Sequence, residues 1–458
     1  MKLLLRFSIC VLSLCALSVF ALDEADLKDD NGQVVVHYAV ETPTLMAPPD
    51  TADPSKQLGL FVCFHEHGGK APDETHSVIE SLKRLKLSEG YVVIGMKDGT
   101  PHGYSPVDDH ERAVKLIAWA KKTYPINPRR VYLWGRGEGA KMVGEFGAEH
   151  ADIVAAVITY SWGFWKMRDV KDPALNIPEY YIVLGLKDLA THLKTVRETY
   201  ARTKAHGYNV IYREAEGLGG PTKHPLTNDD AILWATKTRH KTMPLSAQEL
   251  ALIAPFSIES SAQALGADPA AFASLSLVGG RQAGNVLAAV FDAKNENTRV
   301  MAAKVCEEAN FGPETAAALA KKLKDPSAEV RRAVIEALGV QANWRLLPAQ
   351  EALCQVLTDK NWNTAERGLA VDAIGVAVKL QVKGSYQDLP LFKALIAVLD
   401  DEDAGLRAKA FAVLSPIMTS GYKPEAPKSE RQAEIVKWQE WLESVAAKEL
   451  PPVAPSGK

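Results

Sequence analysis

Short apolar runs recur along the first half of the chain, from about residue 34 to residue 240. They are rich in β-branched and aromatic residues, and they predict strands at 34–40, 58–64, 91–96, 130–135, 153–161, 180–186 and 208–215. The stretches between them have helical spacing; within 108–124, Val114, Ile117 and Trp119 give one apolar side. This alternation predicts a doubly wound α/β fold, in which helices cover both faces of a mostly parallel sheet.

After Met243 the apolar spacing is that of helices alone, up to about residue 449. The segment 246–249, Ser-Ala-Gln-Glu, is a capping box that opens the first of these helices. Four later segments share one plan, in which an aspartate and a short turn precede an arginine and an alanine-rich helix: 290–305, 323–339, 357–375 and 399–415. Their arginines, Arg299, Arg331, Arg367 and Arg407, are 32, 36 and 40 residues apart, which is typical of stacked helical hairpins.

This repeating unit resembles the HEAT repeat, and the copy at 323–339 matches it best. The resemblance implies that the aspartates and arginines serve the turns and the stacking of neighbouring repeats. It also implies a curved surface suited to a protein partner. The segment 434–444 is expected to cap the last repeat, and residues 450–458 are expected to be disordered.

The first 21 residues have the pattern of a signal peptide. Lys2 and Arg6 precede the apolar segment 7–17, which is too short to span a bilayer. Val19 and Ala21 stand at the positions that a signal peptidase reads, so we expect cleavage before Leu22 and a periplasmic or secreted protein. No later segment is apolar enough to predict a membrane span.

Charge and cysteine content exclude several classes of partner and of fold. The chain has 458 residues and a formal net charge of -3; removal of Lys2 and Arg6 leaves 51 basic and 56 acidic residues, a net charge of -5. Without a basic excess, no nucleic-acid partner is expected. Three cysteines remain after cleavage, Cys63, Cys306 and Cys354, and their wide spacing does not predict a disulfide framework. No cofactor is expected either.

One short segment, 131–143, has the outline of a nucleophile elbow: a hydrophobic strand, a glycine-rich turn and a helix. The pattern for such a turn is G-x-S-x-G. Here the five positions are Gly135, Arg136, Gly137, Glu138 and Gly139, so a glycine stands where the nucleophilic serine would be.

The first half of the chain resembles the α/β-hydrolase fold, and within it the secreted polyhydroxybutyrate depolymerases and feruloyl esterases. The segments that carry the resemblance are 126–142 around the elbow, 60–70 as the oxyanion loop, and 180–220 as the acid and histidine region. The resemblance places the nucleophile at Gly137, the acid at Asp188 and the histidine at Gly220. Two of the three catalytic positions are therefore occupied by glycine.

Loss of the nucleophile and the histidine predicts a hydrolase fold without its chemistry, because acyl transfer needs an oxygen activated by an imidazole. His224, four residues beyond Gly220, is a possible substitute base. We expect the former site to keep a binding role. The candidate binding residues are His65, Glu66, His67 and Glu138, and the candidate ligand is small and neutral, or a carbohydrate ester.

Two other functions stay open from the sequence. The first is an active secreted ester hydrolase of the carboxylesterase or feruloyl esterase kind, with a nucleophile that the pattern does not identify. The second is metal-assisted chemistry on a histidine and aspartate cluster made of His65, His67, His102, Asp108, Asp109 and His110. No H-E-x-x-H or paired-cysteine spacing accompanies this cluster, so we expect hydrogen-bonded histidines, helix-capping aspartates and no metal site.

The sequence thus predicts four parts: a signal peptide (1–21), an α/β-hydrolase-like domain (22–243), a HEAT-like helical repeat domain (244–449) and a tail (450–458). The change of pattern at Met243 predicts that the two domains fold as separate units.

Overall fold

The computed structural model describes residues 22–100, 103–105, 107–167, 176–215, 219, 225–256, 268–379 and 388–446. Its strands are β1 (Asp23–Lys28), β2 (Val34–Glu41), β3 (Leu58–Phe64), β4 (Tyr91–Met96), β5 (Ile126–Arg136), β6 (Ala156–Tyr160), β7 (Glu179–Gly185) and β8 (Val210–Ala215). They form one sheet in the order β1-β2-β4-β3-β5-β6-β7-β8. β2 runs antiparallel to both of its neighbours, and pairing is parallel from β4 to β8. The predicted, mostly parallel sheet is confirmed.

The sequence analysis missed one strand, β1. Its residues, Asp-Glu-Ala-Asp-Leu-Lys, are mostly charged and give no apolar alternation. β1 is one of the two edge strands of the sheet, and among the described strands it pairs with β2 alone. Backbone hydrogen bonds to β2 account for most of the pairing of this edge strand, and charged side chains are the usual protection of a sheet edge.

Five helices cover the two faces of the sheet: α1 (Ala71–Arg84), α2 (Asp108–Thr123), α3 (Glu138–Glu149), α4 (Ala190–Ala205) and α5 (Pro225–Lys237). One apolar core joins α1 and α5 to the sheet through residues such as Val78 and Ile232. A second core joins α2, α3 and α4 to the other face through Leu116, Phe146 and Val196. The strands are buried on both faces, which is why their sequences read as continuous apolar runs.

The rest of the described chain is helical: α6 (Ala247–Ile253), α7 (Pro269–Val278), α8 (Gly280–Val290), α9 (Glu296–Val305), α10 (Pro313–Lys321), α11 (Ala328–Asn343), α12 (Leu347–Thr358), α13 (Thr364–Val378), α14 (Leu389–Val398), α15 (Ala404–Leu414) and α16 (Lys428–Ala446). The predicted capping box is present, since the Ser246 side chain accepts from the Glu249 N–H and Glu249 accepts from the Ser246 N–H. One apolar core runs through these helices from Ile253 to Val445.

The repeated arginines stack one repeat on the next. Arg299 donates to both carboxylate oxygens of Asp325, at 2.7 and 3.0 Å, and to the carbonyl oxygens of its own turn. The same relation joins Arg331 to Glu366 and Arg367 to Asp401. Partial burial raises the pKa of Asp325, but the hydrogen bonds from Arg299 and a backbone N–H outweigh it, so this pKa is lowered. The structural role expected for these side chains agrees with this geometry.

Buried contacts join the sheet to the repeats. Arg129, a buried residue of β5, donates to Glu249 at 3.0 Å and to the carbonyl oxygens of Val278 and Gly279. Trp344, at the end of α11, lies in the same apolar core as α1 and α5. The two halves therefore share buried surface, which argues against the expectation that they fold as separate units. No helix of the described residues is both long and apolar enough to cross a membrane.

Candidate functional site

The elbow lies at the carboxyl end of β5, where Gly137 alone separates the strand from α3. Its dihedral angles are φ +53° and ψ -123°. Its N–H donates to the carbonyl oxygen of Tyr160 at 3.0 Å, and its carbonyl oxygen accepts the first hydrogen bond of α3 from Ala140. A positive φ is open to glycine at no steric cost, whereas a residue with a β-carbon is strained there. The chain thus makes the sharp turn of an elbow with a glycine at its apex.

The two flanking glycines of the elbow permit a close approach of three elements. A β-carbon on Gly135 would lie 2.2 Å from the carbonyl oxygen of Gly139. A β-carbon on Gly139 would lie 2.2 Å from the carbonyl oxygen of Phe64, the last residue of β3. Both distances are far below contact, so β5, α3 and β3 can meet here only through glycine.

An open cleft of about 470 Å³ lies above the elbow. Its walls come from the residues that follow β3, β5, β6 and β7, the neighbouring strands at the centre of the sheet. The described residues that line it are Glu66, His67, Arg136, Gly137, Glu138, Lys141, Ser161, Trp162, Trp165, Asp188 and His192. The structure therefore brings together four residues that the sequence analysis selected besides Gly137: Glu66, His67, Glu138 and Asp188.

Charged side chains in the cleft are largely engaged with one another. The Arg136 guanidinium, which is almost fully buried, lies 3.7 Å from the Glu66 carboxylate. His67 Nδ1 lies 3.1 Å from Glu138 Oε2. Asp188 accepts a hydrogen bond of 3.2 Å from the N–H of Gly185, so its carboxylate is oriented by the end of β7.

The aromatic wall of the cleft was missed by the sequence analysis. Trp162 follows β6, and its ring meets that of His192 edge to face, with centroids 4.4 Å apart. Trp165 is 46% exposed, and the Lys141 ammonium lies 5.9 Å from the centre of its ring. Only their place along the chain could have indicated these residues. They follow the carboxyl end of a central parallel strand, which is where α/β folds bind ligands. No catalytic motif marks them.

His65 does not line the cleft, although it precedes two residues that do. It is 1% exposed, its Nδ1 bonds to the carbonyl oxygen of Glu66 at 2.8 Å, and its Nε2 accepts from the N–H of Asp98 at 3.3 Å. Its own N–H donates to the Tyr104 hydroxyl at 3.2 Å. His65 therefore holds the loop after β3 in shape. Gly220 and His224 lie outside the described residues.

The metal-ligand cluster considered from the sequence is not assembled among the described residues. His65 is bound to backbone, His67 faces Glu138, and Asp109 pairs with Arg112 and accepts from the Ser105 N–H at 2.7 Å. Asp108 and Asp109 lie in the first turn of α2 and do not cap it. His102 lies outside the described residues. His110 instead meets Glu149 and His150, away from the cleft.

Comparison with known proteins gives matches to each half. Residues 284–361 match the family model of HEAT repeats. A search of curated proteins gave no match. Among solved structures, a thermostable esterase is 17% identical with a TM-score of 0.38, covering 48% of this chain and 63% of that chain, which is just under two thirds of its length. A carboxylesterase from Mesorhizobium loti is 15% identical with a TM-score of 0.34, covering 46% and 97% of the two chains.

A ferulic acid esterase is 13% identical with a TM-score of 0.34, and the match covers 46% of this chain and 94% of that chain. In this chain, the sheet order and the elbow are those of an α/β-hydrolase fold. The protein therefore combines an α/β-hydrolase-like region with a helical region that contains HEAT repeats.

Proposed function

We propose that this protein is a non-catalytic member of the α/β-hydrolase fold that recognises a ligand in its former active-site cleft. The observation that carries the proposal is Gly137, which stands at the elbow in a backbone conformation suited to glycine. Acyl transfer on this fold needs a hydroxyl at that point and an imidazole to activate it. Gly137 supplies no side-chain atom, while the cleft above it keeps its volume and its polar lining.

The cleft suits a neutral ligand that has hydroxyl groups and an apolar face. Three carboxylates, of Glu66, Glu138 and Asp188, line it against two cations, Arg136 and Lys141. There is thus no surplus of positive charge for an anion, whereas carboxylates accept hydrogen bonds from hydroxyls. Indole faces offer apolar contact area at low cost in conformational entropy. A saccharide unit, or its ester, has both properties.

The remaining parts of the proposal concern location and partners. The pattern of residues 1–21 supports export to the periplasm or beyond. The helical repeats support a protein partner, since stacked helical hairpins offer an extended curved surface. In this account the cleft binds a carbohydrate ligand at the cell envelope, and the repeats bind a protein.

Ligand binding can be tested with the purified chain and neutral oligosaccharides, with and without acetyl or feruloyl esters, by isothermal titration calorimetry. We expect at least one of them to bind, and W165A to weaken binding about tenfold, which is about 1.4 kcal/mol. L347A is the matched control, since Leu347 is a large exposed apolar residue, 66% exposed, on the repeats. Binding that W165A leaves unchanged would contradict the cleft as the site.

A second candidate function, ester hydrolysis, is favoured by one observation. Ser161 lines the cleft next to the elbow, and its φ of +61° is unusual for a residue with a β-carbon. Such strain clusters at functional sites. Its N–H donates to the carbonyl oxygen of Val183 at 2.9 Å, which fixes the backbone. A relocated nucleophile at Ser161 would use His67 or His192, the imidazoles of the same cleft, as its base.

Ester turnover by the unmodified chain, abolished by S161A, would establish this second function in place of the first. Absence of turnover in both proteins favours the non-catalytic proposal. The stability of S161A, measured in parallel by thermal unfolding, separates loss of chemistry from loss of fold.

A further inference from the structure

A cluster of metal-ligand side chains lies outside the cleft, between two helices that cover the same face of the sheet. His110 is in the first turn of α2, Glu149 is the last residue of α3, and His150 follows it. One ligand atom from each of the three lies within 4.8 Å of the others. None of the three lines the cleft.

His110 supplies a second, independent observation. It is 3% exposed, and its Nε2 has no hydrogen-bond partner among the residues that the structure describes. Its other ring nitrogen, Nδ1, lies 2.8 Å from Glu149 Oε2. A buried polar atom without a hydrogen-bond partner costs free energy, and a bound metal ion would reduce that cost. Around it, the rings of Phe146 and His150 lie 5.3 and 5.7 Å from the His110 ring, centroid to centroid.

We propose that His110, Glu149 and His150 bind a divalent transition-metal ion of the zinc class. Two imidazoles and one carboxylate are a ligand set that zinc takes in proteins, with water or another group in the fourth position. Imidazole suits such ions better than magnesium or calcium, which prefer oxygen ligands alone. The ion would tie the start of α2 to the end of α3.

Lys166 is the competing cation. Its ammonium lies 3.1 Å from Glu149 Oε1, and its side chain is 54% exposed. An exposed ammonium contributes little when it pairs with a carboxylate, because water solvates it well. The Lys166 side chain can therefore rotate away from Glu149 into the solvent when a doubly charged ion binds there. The proposal thus predicts that removing the Lys166 ammonium strengthens metal binding.

The test is a titration of the full chain, freed of metal with a chelator, with zinc chloride in a calorimeter. We expect one equivalent to bind, E149Q and H150Q to weaken binding about tenfold or more, and K166M to strengthen it. Titration with cobalt(II) should give visible absorption typical of four-coordinate nitrogen and oxygen ligation. H37A is the matched control, because His37 also pairs with a carboxylate, that of Asp26, but is 52% exposed in its side chain and lies on β2.

Because His110 is buried, H110A can destabilise the fold by itself. The test therefore uses E149Q and H150Q, the two variants at the end of α3. Glu149 and His150 are partly exposed, and the thermal unfolding of their metal-free variants should remain close to that of the parent chain. Zinc should then raise the unfolding temperature of the parent and of H37A, but not that of E149Q or H150Q. Equal binding by all four proteins, or no saturable binding by the parent, would overturn the proposal.

Discussion

A side chain placed on Gly137 should destabilise the protein and should not create an esterase. The residue has φ +53°, a conformation that costs a residue with a β-carbon about 1–3 kcal/mol. The new β-carbon would also lie 2.9 Å from the β-carbon of Glu66, closer than real β-carbons approach other atoms. We therefore expect G137A to lower the free energy of unfolding by about 2–4 kcal/mol, from strain and overpacking together.

Two further variants separate these causes. Gly32 has φ +78°, and a β-carbon added there would have no heavy atom of the described residues within 4 Å, so G32A should report strain alone, about 1–2 kcal/mol. At Gly137 the close contact is with the β-carbon of Glu66, so E66G should relieve it and E66A should not. In a double-mutant cycle, G137A should therefore cost less in the E66G background than in the E66A background.

The assay is urea unfolding followed by circular dichroism, together with hydrolysis of p-nitrophenyl acetate by G137S. Hydrolysis should stay at the level of the buffer, because the histidine position falls on Gly220, so no imidazole stands where the fold would activate the new hydroxyl. The reasoning fails if G137A is no less stable than G32A, or if G137S is an esterase.

Three other perturbations should give graded outcomes. R331A, which breaks the 2.6 Å pair with Glu366, should cost about 2–3 kcal/mol, whereas R332A, which removes an exposed pair, should cost less than about 0.5 kcal/mol. E249Q should cost about 3 kcal/mol, because it leaves Arg129 buried without its counter-charge. Stability should fall from about pH 6.5 to pH 4, since burial lowers the pKa of His240 to about 4 and the unfolded chain takes up the proton first.

Each of these outcomes has its own check. Equal losses in R331A and R332A would contradict the stacking role of the repeated arginines. Two separate unfolding transitions in the parent chain would contradict the shared buried surface around Glu249. The pKa of His240 differs between the folded and the unfolded chain, and at 1.36 kcal/mol for each pKa unit this difference contributes about 3 kcal/mol of stability at most. That stability is present above pH 6.5 and is lost as the pH falls to about 4. H240N should remove that part of the pH dependence, and an unchanged profile would contradict the assignment.

Hydrophobic pattern predicted the sheet well because buried parallel strands must be apolar on both faces. β3 and β4 begin and end at the predicted residues, 58–64 and 91–96. The sequence analysis missed β1 because this edge strand pairs through its backbone, and its mostly charged side chains show no apolar alternation. The stacking of the repeats was also predictable, since the arginines recur at nearly regular spacing. Arg299, Arg331 and Arg367 each meet an acid of a later repeat, whereas Arg407 donates to backbone carbonyl oxygens.

The candidate site was predictable only in part. The elbow pattern led to Gly137, and the order of segments led to Asp188, because motif residues keep their place along the chain. The aromatic wall of Trp162 and Trp165 comes from a segment without a motif. The meeting of His110 with Glu149 depends on how α2 packs against α3, a tertiary relation that local sequence does not encode.

The most direct test of the central claim is the mass of the intact purified chain after treatment with a fluorophosphonate probe, with ester hydrolysis followed in the same sample. The account predicts no added mass and no turnover, because no activated hydroxyl stands at Gly137. Stoichiometric labelling together with turnover would contradict it, and a label on Ser161 would identify the chain as a hydrolase with a relocated nucleophile.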